Sequence, residues 1–319
     1  MAGADLLVAD IGGTNARFAI SDADGALHEP RVLHAAKFPK IDEAITAYFA
    51  ELKRPRPTQA CFAVACPASG PEIKLTNSSW RFVKAELRQQ FQLERFVVIN
   101  DFEALAASVP ILAGAQLAEL RSGTPDPASV SLVIGPGTGL GVGAYVPAGK
   151  GAWAVISGEG GHVGFAPNTE AEIRLWQRMR QRYGRVSAER LLNGSGLVNV
   201  YRFMADEAGQ QVGEVDAPEV ARRALASEQV AVASVLMFFD MLGSVAGDLA
   251  LAFGSRAGVY IGGGITPKLL DFARQSRFIE RFLDKGRVAA ILQDMPVQVI
   301  LEERAALYGV RRQFDREGA

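Results

Sequence analysis

One arrangement occurs twice in this chain: a short apolar strand, a glycine-rich turn carrying a threonine, and a second strand. In the first copy Leu6 to Ala9 runs into Gly12-Gly13-Thr14, and Ala16 to Ser21 resumes strand character, which predicts a β-hairpin about the glycine pair. In the second, Ser131 to Ile134 enters Gly135-Pro136-Gly137-Thr138-Gly139-Leu140-Gly141, and Val142 to Val146 continues as strand. No short-period repeat accompanies them. A unit recurring at this distance predicts two related domains facing each other, with a ligand in their shared cleft. The 319 residues, 49% of them hydrophobic, suffice for two buried cores.

Between the copies, Ile41 to Leu52 has apolar residues at helical spacing and is stopped by Pro55 and Pro57, and Cys61 to Ala65 reads as a buried strand ended by Pro67. After the amphipathic stretch Val83 to Phe91, the β-branched run Phe96-Val97-Val98-Ile99 delivers Asn100-Asp101 at its carboxyl end. Open α/β sheets bind their ligands at such ends. Ser122 to Ser129, with two prolines and a glycine, is the expected loop into the second domain. Beyond the second turn, Val186 to Leu192 predicts a short helix and Ala231 to Phe253 a long one. Val259-Tyr260-Ile261 predicts a strand entering Gly262-Gly263-Gly264, and Glu302 to Arg316 a helix packing back on the first domain. Ala231 to Phe253 is apolar enough to suggest a membrane span, but Asp240 and Asp248 lie inside it. Each would cost roughly 2.5 to 3.5 kcal/mol in mid-bilayer, so a buried or half-buried helix is predicted.

The turns carry chemistry if their backbone is used. Gly12 and Gly13 lack a Cβ and let N–H groups approach a phosphate, Ile11 leads into them, and Thr14 adds a hydroxyl. Asp10 can hold Mg2+ through water, because that cation keeps most of its hydration and prefers carboxylate oxygen. An ordinary hairpin turn capped by Asp fits the same residues. Gly137-Thr138-Gly139 offers equivalent donors, and two such turns can grip one polyphosphate. Neither is a P-loop, since no Gly-Lys-Ser/Thr follows at the required spacing. A dinucleotide fold is disfavoured too, because Val142 to Val146 favours a strand where a helix must open.

Asn100-Asp101 places a carboxylate beside an amide and suits a polyol, with Asp101 accepting a hydroxyl proton; an Asx cap after a strand is the alternative. In a loose phosphoryl transfer the proton leaves late, so a carboxylate of ordinary basicity suffices. Glu159-Gly160-Gly161-His162 gathers a carboxylate and an imidazole around two glycines, for a shared small ligand or a purely structural turn. Glu189 is a further acceptor or a helix-surface residue. Zinc spacing is missing from this set. Gly262-Gly263-Gly264 admits a flat group such as adenine against the backbone, or is a tight turn into the helix begun by Pro267.

The formal net charge of −1, from 34 basic and 35 acidic side chains, argues against nucleic acid as a partner. Cys61 and Cys66 alone make no disulfide framework and fit a reducing compartment. Met1 to Asp10 lacks a basic region followed by a long apolar stretch, so no secretory signal is predicted and a cytoplasmic location is expected.

Taken together, these residues resemble the bacterial ATP-dependent glucokinases, of the non-ROK type, in the hexokinase and actin-like superfamily. Asp10-Ile11-Gly12-Gly13-Thr14-Asn15-Ala16-Arg17 is similar to that family's first phosphate motif and Gly135 to Gly141 to its second. Cys66-Pro67, Thr76-Asn77, Trp80, Ile99-Asn100-Asp101-Phe102, Gly158 to Val163 and Ser187-Ala188-Glu189-Arg190 follow in the family's order. The resemblance implies a two-domain α/β actin-like (ribonuclease H-like) ATPase fold with a ligand cleft between the domains. Residues 1–111 would form a small domain completed by 302–319, and 112–301 a large one. It implies transfer of the γ-phosphoryl group of ATP to the 6-hydroxyl of glucose, giving glucose 6-phosphate and ADP. Asp101 would be the base, and Asn100, Asp101, Glu159, His162 and Glu189 the sugar ligands. ATP would lie on Asp10 to Thr14, Gly137 to Gly139 and Gly262 to Gly264. Mg2+ and a homodimer are implied, and no structural zinc, since Val163-Gly164-Phe165-Ala166-Pro167 contains no cysteine. A kinase for another hexose and a catalytically silent sugar sensor remain as alternatives. No membrane or nucleic-acid partner is expected.

Overall fold

A computed structural model describes residues 5–75 and 78–318. Thr76-Asn77, part of the family resemblance, lie outside the described residues. In chain order the strands are β1 (Leu6–Ile11), β2 (Asn15–Ser21), β3 (Leu27–His34), β4 (Gln59–Val64), β5 (Glu72–Lys74), β6 (Arg81–Val83), β7 (Arg95–Asn100), β8 (Leu117–Arg121), β9 (Ser131–Pro136), β10 (Leu140–Gly149), β11 (Ala152–Gly158), β12 (Gly258–Ile261) and β13 (Val297–Ile300). The helices are α1 (Ile41–Ala50), α2 (Lys84–Gln90), α3 (Asp101–Ser108), α4 (Glu170–Tyr183), α5 (Gly194–Glu207), α6 (Ala217–Leu225), α7 (Gln229–Phe253), α8 (Leu270–Gln275), α9 (Phe278–Leu283) and α10 (Ala305–Glu317).

The chain divides into two compact units, Met1–Leu112 with Glu302–Ala319, and Ala113–Leu301. The first is built on a five-stranded sheet in the order β3-β2-β1-β4-β7. The hairpin read from Gly12-Gly13 is present: β1 and β2 pair antiparallel with Ile11 opposite Ala16. β4 then runs parallel to β1, and β7 parallel to β4. Side chains of a strand alternate between faces, and β1 uses both. Leu7, Ala9 and Ile11 enter a core with Tyr48, Phe49 and Trp80, whereas Leu6 and Val8 meet Leu307, Val310 and Phe314 of α10 on the opposite face. The C-terminal helix therefore supplies half of the cover that this sheet needs. It lies against α3 at Gly309, where an added Cβ would fall 1.7 Å from the Ala104 carbonyl oxygen.

The second unit repeats the plan. Its six-stranded sheet has the order β11-β10-β9-β12-β13-β8, with β9 and β10 antiparallel and β9, β12 and β13 parallel. An antiparallel hairpin about a glycine-rich turn followed by two parallel strands is thus common to both sheets. β8 pairs with β13 inside this unit, so the Ser122 to Ser129 loop that composition placed ahead of the second domain lies within it. Composition marks loops but not which sheet their flanks join. The apolar α7 is mainly buried: Val235, Phe238, Phe239 and Leu242 are fully covered, and Asp240 accepts a hydrogen bond from the Arg277 amide at 2.7 Å. Asp248 pairs with Lys285 at 3.0 Å. Val186 to Leu192, expected to be helical, contains only a 3-10 turn at Ala188–Arg190, because Ser187 is held extended by a bridge to Gly164.

Candidate active site

In the first unit, β1 and β7 are parallel neighbours of β4 and both end in carboxylates. Asp10 stands beside Ala63 in register and Asn100 beside Val64, which puts Asp10 and the Asp101 that follows Asn100 roughly 10 Å apart at the same sheet edge. Asn100 ends the β-branched strand and caps α3: its side-chain oxygen accepts from the amides of Phe102 at 2.9 Å and Glu103 at 3.3 Å. The capping reading and the binding reading are therefore compatible, since the cap occupies Oδ1 alone. Its Nδ2 reaches the Cys66 carbonyl at 3.4 Å, and its side chain also stabilises the Asp101 carboxylate.

Asp101 is the first residue of α3, half-buried, and its Oδ1 accepts from the Phe102 amide at 3.0 Å. Its carboxyl is pushed up to about 7, first by burial and then by the like charge of Asp10, with the Phe102 amide opposing. The chemistry needs only ordinary basicity, and the fold gives Asp101 more than that. Desolvation by packing and the proximity of a residue 91 positions earlier are invisible in a linear sequence. Asp10 is also raised by burial, against the pull of Arg17, whose Nη1 lies 3.3 Å from Oδ2.

The turn after Asp10 has a specific hydrogen-bond economy. The Gly12 amide closes the turn onto the Asn15 carbonyl at 2.9 Å, while among the described residues no acceptor engages the amides of Gly13 and Thr14. The Asn15 side-chain oxygen is buried with no partner. In the second unit the turn between β9 and β10 is made the same way: the Gly137 amide donates to the Gly139 carbonyl at 2.8 Å, and the amides of Thr138 and Gly139 are left without an acceptor among the described residues. Each unit thus presents two successive free N–H groups, the concavity that binds anionic oxygen. Gly262-Gly263-Gly264 is stitched to that second turn. The Gly262 amide donates to Ile134 at 2.8 Å, and Gly263, at φ +78°, passes so near Pro136 that a Cβ would lie 2.3 Å from its carbonyl oxygen.

Glu159, His162 and Glu189 come together in the second unit. The Gly160–His162 turn lies flat on β10, where a Cβ on Gly161 would fall 2.0 Å from the Leu140 carbonyl oxygen. Arg185 donates to the His162 carbonyl at 2.7 Å, and the Ala188 amide to the Val163 carbonyl at 2.9 Å, drawing the Glu189 segment alongside. His162 Nε2 stands 3.8 Å from Glu189 Oε1 and 3.9 Å from Glu159 Oε2. These separations exceed a hydrogen bond but let one small polyol meet all three. Glu189 is fixed by its other oxygen, Oε2, which accepts the Leu140 amide at 2.9 Å. Sequence reasoning missed that link and the Arg185 clasp. Neither residue type nor spacing advertises a bond between positions 49 apart. Asn100, Asp101 and Asp10 are likewise brought to one edge of the first sheet.

Among the described residues no group of three or more His, Cys, Asp or Glu gathers to ligate a metal. Asp10 is a single carboxylate already shared with Arg17, and in the strand across the turn the orphaned Asn15 oxygen is a further acceptor. That donor set fits a hydrated Mg2+ held through its waters and does not fit a cation stripped of them.

The chain matches the family described as Glucokinase over residues 7–317. It is 43% identical over 306 residues to a glucokinase of Chromohalobacter salexigens, an alignment covering 95% of each protein. Its structure is similar to that of a glucokinase from an Antarctic psychrotroph, with a TM-score of 0.86, 35% identity and coverage of 98% of this chain and 99% of that one. A more distant likeness is to a ROK family glucokinase from Streptomyces griseus, solved in complex with glucose and AMPPNP. There the TM-score is 0.67 at 20% identity, over 96% of this chain and 97% of that one, and the fold is what is shared.

Proposed function

This chain belongs to the glucokinase family and has the actin-like two-domain α/β fold, and from that premise we propose that it transfers the γ-phosphoryl group of ATP to the 6-hydroxyl of glucose. The observation that carries the residue assignment is Asp101. It is a half-buried carboxyl at a strand end whose affinity for a proton is raised toward neutrality. That suits a general base at working pH.

In the proposed reaction Asp101 orients the 6-hydroxyl and takes its proton. The O6–Pγ bond forms as the bond from Pγ to the β,γ-bridging oxygen breaks, giving glucose 6-phosphate and ADP, and the proton passes from Asp101 to solvent. Asn100, through its side-chain amide, is the proposed hydroxyl ligand beside it. In the second unit Glu159 and Glu189 are the proposed acceptors for ring hydroxyls, with His162 contributing a ring nitrogen. The free amides of Gly13 and Thr14, and of Thr138 and Gly139, are the proposed phosphate donors. Gly262 to Gly264 are proposed as the strip of backbone beneath adenine. Mg2+, when bound through water by Asp10, supplies positive charge against the phosphate oxygens.

The test is a coupled assay for ADP across glucose, mannose and glucosamine, for the natural chain and for Asp101→Ala. We expect turnover with glucose and a loss of about 10³-fold or more in kcat for the variant. Near-natural turnover by Asp101→Ala refutes the base assignment. Binding of glucose without turnover by the unaltered chain favours a sensor, and preference for another sugar reassigns the substrate. A cytoplasmic homodimer completes the proposal, checked by light scattering and cell fractionation.

A further inference from the structure

Between α4 and α5 of the second unit lies a cavity of about 350 Å³ lined by Arg178, Met179, Gln181, Arg182, Asn199 and Arg202. That volume falls in the range of small-molecule sites, ~300 to 1,000 Å³. Its three guanidinium groups gather at a site open to solvent, and few acidic side chains stand near enough to pair with them. Arg178 meets Asp206, and the nearby Glu207 is taken by Arg174 at 2.7 Å. Arg182 gives one N–H to the Asn199 side-chain oxygen at 3.2 Å and lies over the Tyr183 ring. Arg202 has no hydrogen-bond or ion-pair partner among the described residues. The cavity therefore holds more fixed positive charge than its own walls neutralise.

The wall residue Asn199 is 6% exposed, and its polar atoms are committed. While its oxygen orients Arg182, its Nδ2 donates to the Arg190 carbonyl at 3.2 Å. Arg182 is thus presented on a rigid support, as a built site requires. The planar fork of a guanidinium matches two oxygens of a phosphate, and several forks in one cavity select a multiply charged anion over chloride.

We propose that this cavity is a binding site for a phosphate monoester or inorganic phosphate, separate from the phosphate turns and held chiefly by Arg182 and Arg202. It goes beyond the glucokinase reading and does not rest on it. The site is joined through Asn199 to the backbone of Arg190, the residue after Glu189.

The experiment is calorimetric titration of the full chain, saturated with glucose and AMPPNP, with inorganic phosphate and separately with glucose 6-phosphate, at ionic strength held constant with chloride. One binding event per chain is expected to survive that saturation. It should weaken about tenfold or more in Arg202→Gln and be partly restored in Arg202→Lys, since one charge-assisted pair is removed and then replaced by a point charge. Similar affinity for the two probes assigns recognition to the phosphate group, and tighter glucose 6-phosphate binding assigns it to a sugar phosphate; both support the site. Absence of binding by the natural chain, or equal binding by Arg202→Gln and the natural chain, overturns it. Arg182→Gln, expected to weaken binding by a similar factor, is the second variant should Arg202→Gln fail to fold.

Discussion

Asp101 should make the first unit less stable in the pH range where it makes the enzyme active. Its folded-state carboxyl titrates at about 7 against 3.8 for an ordinary Asp, so folding disfavours its charged form. The sign follows from linkage: a raised carboxyl contributes stability that is fully present below the unfolded value and lost as pH rises through the folded one. Asp101→Asn keeps the shape and the Oδ1 acceptor for the Phe102 amide but removes the charge. The interval from 3.8 to about 7 corresponds to a ceiling of ~4 kcal/mol. Water reaches part of this residue, and the lost charge also forfeits a favourable interaction with the α3 amino terminus, worth ~0.3 to 1 kcal/mol. We expect the variant to be more stable by about 2 kcal/mol at pH 8, with the advantage shrinking steadily toward pH 5. The assay is urea unfolding followed by Trp80, which is 1% exposed and belongs to the first unit. Replacing Trp153 and Trp176 with Phe leaves Trp80 as the sole reporter. An advantage that is constant with pH, or a variant less stable at pH 8, would refute the claim that burial and Asp10 set this proton affinity.

In the pH profile of kcat/KM for glucose, an acidic limb should fall below about 7 as Asp101 gains its proton, and Asp10→Asn should move that limb to lower pH by removing a like charge. Gly161→Ala must push the Glu159 to His162 turn off Leu140, and a shift of about 1 Å should lower kcat/KM by ~10²-fold while the melting of the first unit is unchanged. Gly309→Ala sets a methyl against the Ala104 carbonyl and should cost ~1 to 3 kcal/mol in the Trp80-reported transition, or more if α10 detaches. Arg281→Met leaves the buried carboxylate of Glu172, now held by Arg281 at 2.8 Å, without its partner; a loss of ~3 to 5 kcal/mol is expected in the unfolding of the second unit.

The two glycine-rich hairpins and the strand delivering Asn100-Asp101 were legible because each rests on local rules. Glycine runs permit tight turns, and β-branched runs favour strands. Their use was not legible. Which amides in each turn are free depends on the bonds made by Gly12 to Asn15 and by Gly137 to Gly139, and those follow from turn geometry. The grouping of His162 with Glu189 was left open by the residues themselves and implied by the family resemblance, because its cause is a set of bonds between 162–165 and 185–188, backbone to backbone except for the Arg185 guanidinium. The helix read at Val186 to Leu192 was lost to that same pairing, a case of tertiary contact overriding local propensity.

The position of α10 has a consequence for synthesis. The second unit is continuous, residues 113–301, and every strand of its sheet is synthesised before α10. The first unit begins earlier yet finishes later. Leu6, Val8, Ala63 and Ile99 must wait for Leu307, Val310 and Phe314 to cover them. During that interval one apolar face of a nascent sheet is bare, the condition under which chaperones are engaged and aggregation competes with folding. The helix bearing Asp101 is thus the part of the enzyme finished last, although the sequence writes it in the first third.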